Sequence, residues 1–237
     1  MKTIALIPAR SGSKRIPQKN IKHFFGKPII AYAIQNAHNS KIFDSVVVST
    51  DCEHIAHIAK KFGASVPFMR PKDLSDDTTA TIPVISHAAK ELNLLPDDRI
   101  CCIYPATPLL QAHYLIKANA LLDTNPNALY VFGALQYDYN PLRAFKLVPS
   151  DTKQATNALY PKMLFNAFQS TRSQDLEPIF HDSGQFYFGR AGAFMEQQPI
   201  FASHSLALIM ESTHAIDIDT PKDWERAELQ YRINNNL

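Results

Sequence analysis

Residues 10–20 read Arg-Ser-Gly-Ser-Lys-Arg-Ile-Pro-Gln-Lys-Asn and gather four cations, Arg10, Lys14, Arg15 and Lys19, beside two serines and one glycine. Side-chain charge, with a few backbone N–H groups around Gly12, lets such a loop hold a polyphosphate. A solvated basic loop is the plain alternative. Glycine-built phosphate loops do not occur: GxGxxG and GxxxxGKS/T are both absent, and the chain has 7 Gly against 16 Pro. A second grouping is Asp217-Ile-Asp219. On a strand, residues two apart face the same side, so both carboxylates could reach one hard cation such as Mg²⁺, with waters and phosphate oxygens completing its shell. Alternatively, Asp219 charges the start of the next helix and Asp217 faces solvent. A third grouping, Arg172-Ser-Gln-Asp-Leu with His181-Asp-Ser-Gly-Gln185, offers an Arg fork for a carboxylate and several hydroxyl-binding groups, although Arg172 could equally pair with Asp175. Together the three groupings suggest nucleotidyl transfer to an acidic sugar.

Other chemistries lack their residues. The nine histidines show neither HxxxH nor HxH spacing, so no zinc site is expected, and no serine sits in a GxSxG elbow. Cys52, Cys101 and Cys102 make no CxxC half-site; the adjacent pair reads as buried strand residues and suits a reducing compartment. With 24 Lys and Arg against 22 Asp and Glu, the net charge of +2 gives no broad field for a nucleic-acid backbone. The apolar run from Ile4 to Ala9 is stopped by Arg10, too short for a signal peptide or a membrane span. The expectation is a soluble, cytoplasmic protein with no nucleic-acid or membrane partner.

The elements that must position these groups alternate in period. Thr3 to Pro8 reads as a strand buried on both faces, so the basic loop lies beyond the carboxyl end of a parallel strand, where ligands bind in open sheets. Pro28 opens a helix carrying Ile29, Ile30, Ala33, Ile34 and Ala37. Ser45 to Thr50 is the second strand, and Ile55, Ile58, Ala59 and Phe62 mark a helix that stops at Gly63. Strands are further expected at Ala64–Phe68, Arg99–Tyr104 and Ala128–Gly133, and helices near 82–92 and 114–122. This rhythm predicts an α/β fold, a Rossmann-like three-layer arrangement with a mostly parallel sheet. Residues 134–185 keep no period and read as an insertion or partner-binding arm in a single domain spanning 1–237. Strands are expected again at Gln185–Gly189 and His214–Asp219. Thr220, Pro221 and Asp223 then start a last helix, and Asn234 to Asn236 read as a frayed end.

The opening IALIPARSGSKRIPQKN resembles the signature of the CMP-sugar synthetases, cytidylyltransferases that activate sialic acid, Kdo and related nonulosonic acids. The likeness continues through STD at 49–51, RPKDLSDDTTAT at 70–81, YPATPLL at 104–110 and DIDTPKDW at 217–224, nearly the whole chain. YPATPLL, RSQDL and HDSGQFY look most like the pseudaminic acid branch. The sialic acid branch usually reads QPTSPLR where this chain has YPATPLL, which removes two polar groups near the sugar. The resemblance implies a nucleotide-diphospho-sugar transferase fold, CTP and a nine-carbon 2-keto sugar acid as substrates, Mg²⁺ as cofactor, and a homodimer built through the insertion. It implies that Arg10, Ser13, Lys14 and Lys19 hold the CTP phosphates, that Asn20, Arg70, Thr79 and Thr81 face cytosine and ribose, and that Asp217 and Asp219 bind the metal. Tyr104, Arg143, Arg172, Gln185 and Tyr187 fall where the family places its acceptor sugar. Phe145, Tyr160, Phe165 and Phe168 would anchor the dimer.

Overall fold

The computed structural model describes residues 1–149 and 159–237. In chain order the first half contains β1 (Thr3–Pro8), β2 (His23–Phe24), β3 (Lys27–Pro28), α1 (Ile30–Ser40), β4 (Ser45–Ser49), α2 (Glu53–Lys61), α3 (Thr81–Glu91), β5 (Arg99–Ile103) and α4 (Ala112–Thr124). The second half contains β6 (Tyr130–Gln136), β7 (Phe145–Pro149), β8 (Leu159–Met163), β9 (Phe180–Arg190), α5 (Ala191–Met195), β10 (Ser205–Ile209) and α6 (Pro221–Asn235). The central sheet runs β10-β6-β9-β5-β1-β4. β1 pairs parallel with both β4 and β5, β10 pairs parallel with β6, and β9 runs antiparallel to β5. This is the mostly parallel α/β sheet expected from the alternating periods, with one reversed strand inside it. No helix among the described residues is long and apolar enough to cross a membrane.

The chain divides into two compact units, residues 1–134 with 182–237, and residues 135–181. The larger unit has the core. β1 is buried along Ile4, Ala5, Leu6 and Ile7, and β5 along Ile100, Cys101, Cys102 and Ile103, as two-faced burial demands of continuous apolar strands. A second apolar cluster joins Ile16, Phe24, Ile29, Tyr32, Ile218, Trp224 and Ala227. Phe24 is its hub, meeting Tyr32, Trp224 and Tyr231 edge-on with ring centroids 5.4–5.6 Å apart.

The smaller unit is built differently. β7 and β8 form an antiparallel ribbon from Phe145 opposite Met163 to Pro149 opposite Leu159. Among its described residues from 136 to 181 none is buried. Phe145, Leu147, Leu159, Tyr160, Leu164 and Phe165 are all exposed.

Several expectations are corrected. Ala64–Phe68 is not a strand: it touches β4 only through isolated bridges at Ser65 and Met69, because Pro67 has no N–H to continue a ladder. His214–Asp219 is not a strand either. A 3-10 turn covers Ser212–His214, and two of the following carbonyls are taken by side chains, Ile216 by Gln185 and Ile218 by Lys19. Pro28 lies in the β2–β3 hairpin, whose turn uses Phe25 and Gly26 at positive φ, and the helix begins only at Ile30. β10 was not expected; it is a short, half-exposed edge strand with weak alternation. The C-terminus is not frayed at Asn234: α6 continues to Asn235, Asn234 donates to the Thr213 carbonyl at 2.8 Å, and Asn236 ends the helix in the left-handed region. The expected start of α6 is present, with Thr220 and Asp223 forming a reciprocal capping box and Pro221 in the first turn.

Candidate active site

β1 delivers the basic loop to the carboxyl edge of the sheet, and three contacts fix its course. The Ser11 N–H and hydroxyl donate to the two Asp51 oxygens at 2.9 and 2.8 Å. The buried Asn20 amide donates to the Arg10 carbonyl at 2.9 Å. Ile16 inserts into the cluster around Phe24, which also holds Ile218. One apolar cluster therefore anchors Ile16 of the basic loop and the middle residue of Asp217-Ile-Asp219, and sets the distance between the two chemical groups.

The result is a cleft of about 400 Å³ within the larger unit, lined by cations and carboxylates together. Its volume is that of a small-molecule site. Arg10 Nη1 lies 2.5 Å from Asp77 Oδ1, and Lys14 pairs with the other Asp77 oxygen. Arg15 Nη2 meets Asp219 Oδ2 at 2.9 Å, while Lys19 Nζ meets Asp219 Oδ1 at 3.3 Å and donates to the Ile218 carbonyl at 2.6 Å. These pairs are solvent-accessible and contribute little to stability; their consequence is that each loop cation is already directed at an anionic partner. The bonds from Lys14 and Arg10 hold the Asp77 carboxyl below the usual carboxylate range. The hydroxyl and N–H of Thr79, then the N–H of Thr78, bring Asp76 down to about 2.

Arg70 forms part of the wall. It is buried, its N–H bonds the Thr50 carbonyl, and its Nε donates to Ser75 Oγ at 3.0 Å. Its Nη2, and Oδ1 of Asn20, are buried with no partner among the described residues. Buried polar groups are seldom left unpaired, and both residues line the cleft. Thr81, the first residue of α3, shares a 2.7 Å hydrogen bond with the Tyr104 hydroxyl at the end of β5.

Asp217 is open on its cleft side yet crowded by protein. That crowding, and then the like charge of Asp219, raises its carboxyl above the ordinary value. Among the described residues nothing donates a hydrogen bond to it. Gly184 is required beneath it: its φ of +64° suits glycine, and a Cβ there would sit 3.2 Å from the Asp217 carboxyl carbon. No group of three or more His, Cys, Asp or Glu suited to a metal occurs among the described residues. An all-protein cage is not needed for Mg²⁺, which binds through one or two carboxylates together with substrate phosphates. Hard oxygen donors and an uncompensated carboxylate fit such a cation.

Of the residues singled out in the sequence, Arg10, Ser13, Lys14, Lys19, Asn20, Arg70, Thr79, Thr81, Tyr104, Tyr187, Asp217 and Asp219 all line this cleft. Gln185 does not. It is buried, and its amide donates to the carbonyls of Ser183 and Ile216, tying the acid-bearing segment to β9. Arg143 and Arg172 belong to the smaller unit, where Arg143 lines a separate cavity and donates to Ser173 Oγ at 3.2 Å. Asp77 and Asp182, to which the sequence reading gave no role, also line the cleft, as does Arg15, which it counted among the loop cations without assigning it a ligand. Arg15 and Asp182 stand inside motifs already noted; Asp77 carried no signal beyond its place in the RPKDLSDDTTAT block.

A three-layer α/β scaffold with a polycationic loop after its first strand and an acid pair opposite defines a nucleotidyltransferase type of site. A family model described as Cytidylyltransferase matches residues 4–228, and the chain belongs to that family. It is 40% identical over 237 residues to a protein of Campylobacter jejuni named pseudaminic acid cytidylyltransferase, covering 99% of this chain and 98% of that one. A protein of Legionella pneumophila named CMP-N,N'-diacetyllegionaminic acid synthase is 30% identical over 99% of this chain and 98% of its own length. Among solved structures, a CMP:2-keto-3-deoxy-manno-octonic acid synthetase complexed with CTP shares the fold over the whole of both chains, with a TM-score of 0.71 at 15% identity.

Proposed function

We propose that this protein transfers CMP from CTP to the anomeric hydroxyl of a nonulosonic acid, with pseudaminic acid as the acceptor. The supporting observation is that the four loop cations and the carboxylate pair share one cleft, in a chain 40% identical over its full length to a pseudaminic acid cytidylyltransferase. The hydroxyl oxygen attacks the α-phosphorus in line and loses its proton, and the bond to the β-phosphate breaks to release pyrophosphate. Arg10, Ser13, Lys14 and Lys19 bind the triphosphate, with Lys14 and Lys19 offsetting the charge that builds on the leaving group. Asn20, Arg70, Thr79 and Thr81 face the base and ribose. A pocket with buried hydrogen-bonding groups rejects the wrong base because its partners would be left unpaired. Tyr104 and Tyr187 are assigned to the acceptor sugar. Asp217 and Asp219 would hold Mg²⁺, which supplies charge neutralisation on the phosphates and a lowered pKa for the attacking hydroxyl.

The exposed aromatics of the ribbon, Phe145, Tyr160 and Phe165 with the half-buried Phe168, are assigned to a homodimer interface. Sedimentation at micromolar concentration tests this, and a monomer would contradict it. The reaction is placed in the cytoplasm, which supplies CTP. Pyrophosphate release is to be measured with CTP and pseudaminic, legionaminic, N-acetylneuraminic and Kdo acids in turn. Highest kcat/KM with pseudaminic acid is the expected result; preference for legionaminic acid would move the acceptor assignment, and silence with all four would end the enzyme assignment.

A further inference from the structure

Two of the four loop cations share a single acid. Arg10 Nη1 lies 2.5 Å from Asp77 Oδ1, and Lys14 Nζ pairs with Asp77 Oδ2. Among the described residues neither side chain has another ion-pair or hydrogen-bond partner. The Lys14 side chain is 81% exposed, so its direction is set by Asp77 and not by packing. Without such a partner a lysine of this length samples many rotamers.

Asp77 is itself held by its neighbours in the chain. Asp76 Oδ1 accepts the N–H of Thr78 at 2.9 Å and of Thr79 at 2.6 Å, and the hydroxyls of the same two residues lie 3.1 and 2.7 Å from it. This side-chain turn closes the backbone around position 77. Just before it, Ser75 Oγ accepts from Arg70 Nε at 3.0 Å and donates to the Pro71 carbonyl at 2.9 Å. The stretch from Arg70 to Thr81 therefore lines the cleft with Arg70, Thr79 and Thr81 and also returns one carboxylate to the basic loop. The bonds from Lys14 and Arg10 hold that carboxyl below the usual range, so it stays ionised at neutral pH.

Two cations set side by side repel, and a carboxylate between them offsets that repulsion. Asp77 engages one nitrogen of each partner, and both groups carry further N–H donors for phosphate oxygens. We propose that Asp77 is a positioning residue for the transfer reaction, holding Lys14 and Arg10 together in the orientation that meets the triphosphate. Asp219 spans Arg15 and Lys19 in the same way, but is also assigned to the metal; Asp77 carries no such assignment. The inference rests on the assignment of Lys14 and Arg10 to the CTP phosphates.

The test measures kcat and the KM for CTP in the full-length wild type, Asp77→Asn, Lys14→Ala and the double variant, with the sugar acid that the wild type prefers held at saturation. Asp77→Asn should lower kcat about tenfold, less than the loss of Lys14 itself. Its KM for CTP should stay within about twofold, because lost alignment weakens phosphate binding while removal of a like charge strengthens it. In the Lys14→Ala background the same substitution should lower kcat by less than about threefold, since the group it positions is gone. A kcat for Asp77→Asn near or above that of the wild type overturns the proposal. Equal factors in both backgrounds overturn it as well, because Asp77 would then act independently of Lys14. So does a KM that rises as far as kcat falls, which marks general damage to the cleft. The wild-type arm is separate: no pyrophosphate release there with any of the sugar acids removes the function assignment, whatever the variants do.

Discussion

The two units put their apolar residues to opposite use. In residues 1–134 with 182–237, Phe24, Ile16 and Ile218 are buried in one cluster that fixes the basic loop against the acid pair. In residues 135–181, aromatics of similar size lie on an exposed two-stranded ribbon. A lone ribbon of this kind is marginal in water, so these side chains add little to the stability of an isolated chain. Burial in the first unit turns sequence into site geometry; in the second, large apolar side chains stay on the surface.

The contrast predicts a graded series of effects. The largest is expected from Asp219→Asn, which removes a carboxylate facing the phosphate end and should abolish metal-dependent pyrophosphate release while circular dichroism shows an intact fold. Full activity in this variant would discard the metal assignment. Phe24→Ala empties the hub of the cluster and should cost about 3–5 kcal/mol in chemical denaturation; a cost near zero would mean that the cluster does not anchor the two motifs. Lys14→Ala leaves the core untouched and should lower kcat about 10²-fold, as loss of one preorganised charge donor does. Near-normal turnover would remove Lys14 from the mechanism. Thr220→Ala breaks the capping box under Asp219 and should destabilise by about 1 kcal/mol, read as a lower melting temperature. The smallest effect on the fold belongs to the ribbon: Phe145→Ser should change stability measured at dissociating concentrations by less than about 0.5 kcal/mol, yet shift sedimentation toward monomer. A core-sized loss of stability in that variant would erase the difference between the units.

The sequence exposed most of the cleft because its chemistry comes in contiguous blocks. The basic loop follows a strand whose unbroken apolar run marks it as buried on both faces, and the Thr220-Pro221-Asp223 signature sets the start of α6 two residues after Asp219. Elements whose pairing depends on distant neighbours were not legible. Ala64–Phe68 has strand composition but meets a proline at the wrong point of the ladder. His214–Asp219 has it too, but spends carbonyls on Gln185 and Lys19. Asp217 and Asp219 still reach the same cleft, because Ile218 between them is drawn into the apolar cluster. Gln185 sits in a motif-bearing segment, and only its burial against Ile216 separates support from lining.

By itself the sequence determined which chemistry its motifs offered: four cations after the first strand, two acids ahead of the last helix, and none of the CxxC, HxxxH or GxSxG spacings. Local chemistry of that kind survives in a string of letters because neighbours in the chain stay neighbours in the fold. Only the tertiary structure decided that Ile16 and Ile218, some two hundred positions apart, share one core, that Asp182 joins Asp217 and Asp219 in lining the cleft, and that no described residue from 136 to 181 is buried. Each is a long-range packing outcome, set by which apolar faces find one another and left unspecified by any local pattern.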